Sequence, residues 1–269
     1  MRSSNPVLSS LTDSRRNAYR GAAQDPYAGY YNQVPVTTSE RPMTVDDVVS
    51  KTGITLGVII AFAVLNFSIA AFVSPGMSMM LSMVGAIGGF VMVLVSSFGK
   101  KYGSAPVTIA YAAFEGLFVG GISLLLSGFM VGKENAGALI GQAVLGTVGV
   151  FLGMLYVYKT GAVKVTPKFT RILTACMVGV LVLVAGNLVL SLFGLNTGLY
   201  SGGPIAIIFS LVCIGLAAMS FLQDFDVADR LIREGAPAKM AWGVALGLAV
   251  TLVWLYTEIL RLLSYFQQR

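Results

Sequence analysis

The chain has 269 residues, 56% of them hydrophobic and only 11% charged, with net charge +6 and mean hydropathy +0.79. Soluble domains carry about 25% charged residues, so this chain lacks the polar surface for solubility and reads as an integral membrane protein. It contains no histidine, which excludes His-based zinc proteases, Ser–His intramembrane proteolysis and His metal cages.

In chain order, residues 1–45 are polar and broken by proline, as in "AAQDPYAGYYNQVPVTTSERP". No apolar run follows the first charges, so the stretch is not expected to be a signal peptide. It is expected to be a disordered cytoplasmic tail, whose tyrosines Tyr19, Tyr27, Tyr30 and Tyr31 offer a docking motif as the alternative. "TVDDVV" then reads as a short amphipathic helix start, with Thr44 as N-cap and Asp46 and Asp47 in the first turn.

Seven apolar runs follow, near 53–74, 78–98, 106–127, 137–158, 171–194, 203–223 and 240–264. Each has about the 20 residues that a helix needs to cross the hydrocarbon core. They are too long and too uniformly apolar for barrel strands. The expected fold is an all-α bundle of seven transmembrane helices over 46–269.

The +6 charge raises nucleic acid as a partner, but the positive residues sit in short loops between apolar runs. That pattern belongs to membrane topology. Arg41, Lys51, Lys100, Lys101, Lys159, Lys164, Lys168, Arg171, Arg230, Arg233 and Lys239 fall on one side, whereas the alternate loops hold only Lys133. The N-terminus is therefore expected in the cytoplasm and the C-terminus outside, across the cytoplasmic membrane.

Glycine is frequent within the runs, as in "VGAIGGF", "GLFVGGIS" and "GQAVLGTVG". Small residues at three- and four-residue spacing allow close helix approach. Met77, Met79, Met80 and Met83 are expected as adaptable packing rather than a metal cluster, and Cys176 and Cys213 as small buried hydrophobes.

Charges inside spans are costly and usually face a bundle interior or a wet cavity. Glu115 lies mid-helix in "AYAAFEGLFVGG", and Asp224 ends the sixth run in "SFLQDFDVADRL". Glu258 and Arg261 occupy the seventh, three residues apart on one helix face, where they can pair. Arg261 reads as an outer-end anchor or counter-ion that snorkels outward. Glu115 has no charged neighbour in its helix, so it is protonated, paired across helices or hydrated, and such a group can form a proton-sensitive gate. Asp226 and Asp229 are expected to be solvated, in a loop or at a helix end. Asn66, Gln142, Asn187 and Gln223 are expected to line the same interior.

"LQDFD" at the end of the sixth helix and "LYTEILRLL" in the last, on a seven-helix chain, resemble the Bax inhibitor family, the transmembrane Bax inhibitor motif proteins. The likeness covers roughly 50–265. "MRSSNPVL", "RPMTVDDVVSKTGIT" and "VTLVWLYTEILRLLS" look most like its bacterial, especially actinobacterial, branch. The resemblance implies a channel-like protein that leaks calcium and responds to pH. It also implies two acids, on the sixth and last helices, that share a proton and control the pore. By motif these are Asp224 and Glu258, which would then also line the calcium pathway as the metal-facing carboxylates. No resident cofactor is implied; calcium is the permeant ion.

This chain departs from that pattern in having glutamate in the last helix, Arg261 one turn on, and a longer separation between the acids. If both helices run straight to a turn at "EGAP", Asp224 lies about 15 Å from the turn and Glu258 roughly 30 Å. The pair then forms only if part of 225–240 leaves the helical track; otherwise Glu258 partners Glu115 or Arg261. The alternative function is a membrane scaffold that restrains a protease or stress-response partner through the tail. An enzyme is not expected, since the chain has no histidine, no phosphate-binding loop and no facing aspartate pair.

Overall fold

The structure is a computed structural model and describes residues 41–99, 101–129, 136–195 and 197–267. Seven helices among them are long and apolar enough to cross a membrane. They are α1 (Val45–Phe72), α2 (Pro75–Phe98), α3 (Ala105–Leu124), α4 (Ala136–Thr160), α5 (Pro167–Leu192), α6 (Pro204–Arg233) and α7 (Ala241–Gln267). A π-helical turn, Leu125–Phe129, extends α3, and a 3-10 turn, Ala238–Met240, leads into α7. Of the tail expected over 1–45, residues 1–40 lie outside the described residues.

Local chemistry explains where the helices begin. Thr44 Oγ1 accepts from the Asp47 backbone N–H at 3.3 Å, and Asp47 Oδ2 accepts from the Thr44 N–H at 3.0 Å. This reciprocal box satisfies two of the free N–H groups at the helix start. The Thr44 cap is therefore as expected, but it opens α1 itself, which continues unbroken to Phe72, rather than a separate short helix. Proline sits in the first turn of α2, α3, α5 and α6, where its missing N–H costs nothing.

The sixth helix is longer than its hydropathy. The apolar run ends at 223, but α6 continues to Arg233. Asp226 pairs with Arg230 at 2.7 Å and Asp229 with Arg233, each one turn apart, so the helix emerges from its apolar stretch as a charged extension. Gly235, at φ +66°, lies just past its end. Of the two places expected for them, Asp226 and Asp229 thus take the helix end, where each is ion-paired.

Glycine sets the packing of the first three helices. A methyl on Gly116 would come within 2.5 Å of the Ile59 carbonyl, and one on Gly120 within 2.5 Å of the Ala63 carbonyl, both in α1. On the α2 side, a methyl on Gly85 would meet the Phe114 carbonyl at 2.5 Å. Backbone therefore approaches backbone across both faces of α3. Beside this contact, Asn66 donates to the Leu117 carbonyl at 2.6 Å and to Ser82 Oγ at 2.9 Å, a polar tie joining α1, α2 and α3.

α7 is the central helix, packed against α1, α3, α4 and α6. In its most apolar stretch 72% of residues are buried, against 6% for α5, which rests chiefly on α6. Several expected interior residues instead face outward: Gln142 is exposed on α4, Cys176 on α5, and Met77, Met79, Met80 and Met83 on α2. Cys213 is buried, as expected. The interior of such a bundle is as apolar as its lipid-facing surface, so residue type alone does not sort the two.

The end of the bundle that carries the α6–α7 turn is closed by a strap. Met43 N donates to the Ala236 carbonyl at 2.7 Å, and Ala238 N donates to the Arg41 carbonyl at 2.9 Å. Met43 is 2% exposed and packs with Phe221 and Phe225 of α6 and Val244 of α7. Arg41 holds Asp47 by two bonds of 2.7 and 2.8 Å, and Lys51 Nζ donates to the Ala238 carbonyl.

Candidate functional site

The three candidate acids, Asp224, Glu258 and Glu115, fall in three places, two of them on the interface between α6 and α7. Asp224, half-buried on α6, accepts from Thr251 Oγ1 at 2.7 Å. Thr251 also leans on the Gly247 carbonyl one turn back at 3.3 Å, so its hydroxyl is anchored on α7 while it reaches across. Tyr102, in the short connection before α3, covers this region from the strap end. Its ring lies where a Gly243 side chain would be, within 2.5 Å of the added methyl. Burial pushes the Tyr102 phenol above its ordinary range, and the Asp224 carboxylate adds to that.

Glu258 sits two turns further along α7, about 10 Å from the level of Thr251. Arg261 donates to Glu258 Oε1 at 2.6 Å, and its guanidinium stacks 4.8 Å from the centre of the Tyr200 ring. Tyr200 belongs to the α5–α6 connection, so a loop covers the pair. The Arg261 side chain is only 18% exposed; it is held between carboxylate and ring rather than extended toward the headgroups.

The second oxygen of Glu258 and the Ser210 hydroxyl of α6 are both buried without a hydrogen bond of good geometry, although Ser210 and Cys213 lie beside that carboxylate. Thr251 and Glu258 are seven residues apart and so share one face of α7. The α6–α7 seam thus carries an acid from each helix, one toward either end.

Glu115 faces elsewhere. Its carboxylate lies against α2, where a methyl on Gly89 would come within 2.8 Å of Oε2, and it neighbours the buried Tyr111 hydroxyl one turn back. Among the described residues, no hydrogen bond or ion pair joins Asp224, Glu258 and Glu115 to one another. Residues 225–233 stay helical, so the straight-helix geometry holds and Asp224 falls short of Glu258.

Thr251, Ser210, Tyr200 and Tyr102 went unmarked in the sequence because uncharged hydroxyls are common in membrane helices and loops. One signal was present: Thr251 stands one heptad before Glu258. Asn187 lies with Thr197 at the Tyr200 end, Asn66 is in the α1–α3 tie, and Gln223 is half-buried beside Asp224.

No group of three or more acidic or cysteine side chains able to hold a metal occurs among the described residues. Two carboxylates in separate niches along one seam do not make a fixed coordination shell, which for calcium takes six to eight oxygens.

No curated protein matches the chain. Residues 5–268 match the family model described as Bax inhibitor 1 like. With nearly the whole chain covered and seven membrane-length helices in place, the protein belongs to the Bax inhibitor 1 like family.

Proposed function

We propose that the protein is a proton-sensitive cation leak channel, with calcium as its permeant ion, whose path follows the α6–α7 seam. The observation that carries this reading is the placement of two ionisable acids, Asp224 and Glu258, on one buried helix–helix interface at the heart of the bundle. Acids held at membrane depth are costly and mark ion or proton pathways. Calcium is a hard cation that takes oxygen ligands, which the carboxylates and the Thr251 and Ser210 hydroxyls offer.

In this reading the seam is closed as it stands. Phe221 of α6 and Leu255 of α7 belong to its fully buried apolar cluster. Deprotonation of Asp224 adds charge where only Thr251 answers it, which weakens the closed packing and attracts a cation. Glu258 with Arg261 forms the gate at the Tyr200 end, and Glu115 is a further proton-sensing group on the α2–α3 side. Positive loop charge supports a cytoplasmic N-terminus, strap and α6–α7 turn, with the Tyr200 end outside the cytoplasmic membrane.

The test is calcium flux into dye-loaded liposomes holding the purified full chain, measured across pH. Flux that rises with pH and loses that rise in Asp224→Asn supports the proposal. No flux at any pH overturns it.

A further inference from the structure

A second feature lies on the opposite side of α7 from the acids' seam. Between α1 and α4, which stand apart, a cleft of about 450 Å³ opens sideways. Its rim is Ile60 and Val64 of α1 with Val144 and Val148 of α4, all exposed. Its floor is formed by Val119 and Gly120 of α3 and Leu252 and Val253 of α7.

The few hydroxyls in the cleft are already satisfied. Ser123 donates to the Val119 carbonyl at 2.6 Å and pairs with Tyr256 at 2.8 Å, while Thr147 donates to the Ala143 carbonyl at 2.8 Å. No lining group calls for water or a polar ligand, so an occupant must be apolar.

The rim belongs to the membrane-spanning stretches of α1 and α4, so the cleft is continuous with the lipid-facing surface. One end reaches Gly137, in the first turn of α4, and the other reaches Leu56 and Val148, at the middle of the helices' length. An acyl chain with its headgroup at the Gly137 end would lie along that direction. On α1 the lining runs from Leu56 to Phe67, about 16 Å of helix. A volume of about 450 Å³ over that length leaves a section of about 28 Å² for the centre of a water molecule, or about 60 Å² once its ~1.4 Å radius is added. A helix about 10 Å across needs ~80 Å², so the cleft is too narrow for a helix from a second copy and suits a slender hydrocarbon chain.

We propose that the α1–α4 cleft is a binding site for one lipid acyl chain, which inserts between these helices and rests on α3 and α7. Its floor is the stretch of α7 that carries Thr251 and Glu258 on another face, so occupancy bears directly on the central helix. The inference stands independently of any ion flux.

The test uses the full chain in phosphatidylcholine nanodiscs containing a trace of phosphatidylcholine with a diazirine on one acyl chain. A parallel arm uses a free diazirine fatty acid. Photolabelling is expected on α1 and α4 residues of the rim and on the α7 floor. An added methyl at Gly137 meets nothing within 4 Å, so Gly137→Phe can fill the mouth. Label in the cleft is expected to be lost in Gly137→Phe and in a second filling variant, Val144→Phe, and kept in Leu181→Phe on the exposed surface of α5. The arm that labels the cleft identifies the source, phospholipid or free fatty acid. Labelling spread evenly over the lipid-facing helices and unchanged by both filling variants overturns the proposal, as does a disulfide between copies through Val144→Cys.

Discussion

Thr251 Oγ1 donates to Asp224 Oδ2 at 2.7 Å and so fastens α7 to α6 about two turns short of Glu258. The acid of the sixth helix is thus answered by a hydroxyl, while the acid of the seventh is answered by its own helix through Arg261. Each carboxylate has a different partner, so the two are expected to respond differently to substitution.

Thr251→Val removes the only hydrogen bond described for Asp224 while keeping side-chain shape. An intramolecular hydrogen bond to the neutral acid contributes about 0.5–1.5 kcal/mol, and a loss of that size is expected in thermal unfolding in detergent. Asp224→Asn retains an acceptor for Thr251, so its melting should stay near that of the parent chain. In the liposome assay the same Asn variant should lose the dependence of flux on pH. A melting loss in Asp224→Asn as large as in Thr251→Val would show that the charge, not the hydrogen bond, holds the seam.

The Glu258–Arg261 pair should behave as a buried ion pair. Removing Arg261 alone, as Arg261→Ala, leaves Glu258 uncompensated and is expected to cost about 3–5 kcal/mol. The double variant Glu258→Gln with Arg261→Met should recover much of that, because no charge remains stranded. Labelling of the buried Cys213 by a thiol-reactive dye during heating, in a Cys176→Ser background, reports the unfolding.

Glycines sort by what surrounds them. Gly85→Ala and Gly116→Ala drive a methyl onto a backbone carbonyl at 2.5 Å, so both should separate helices and destabilise the bundle. Gly149→Ala and Gly153→Ala meet nothing within 4 Å and should raise helix stability by roughly 0.5–1 kcal/mol. Melting curves of the four variants in one detergent would show the split; equal losses in both pairs would contradict the close α1–α3 and α2–α3 approach.

The strap gives a further test. Met43→Ala empties a fully buried position against Phe221 and Phe225 and should cost about 2–5 kcal/mol. Removal of residues 1–40 leaves the Arg41–Asp47 pair and Met43 in place, so stability and flux should both persist. Loss of a cellular phenotype on that truncation, with flux intact, would favour the scaffold role for the tail instead.

The sequence by itself determined the class of protein, the number of spans, the Thr44 cap and the family. Each depends on local information: about 20 apolar residues cross the hydrocarbon core whatever their neighbours, and a capping box is complete within four residues. Helix length was less legible at α6, because hydropathy ends at 223 while charged i,i+4 pairs carry the helix ten residues further. Only the tertiary structure decided that α7 is central, that Gln142 and Cys176 face outward, and that Asp224 meets Thr251 rather than Glu258. Inside a membrane, lipid and protein interior are equally apolar, so hydrophobicity gives no inward direction. The inward faces are chosen by glycine-scale fit and by hydrogen bonds that cross between helices, and both depend on residues far apart in the chain.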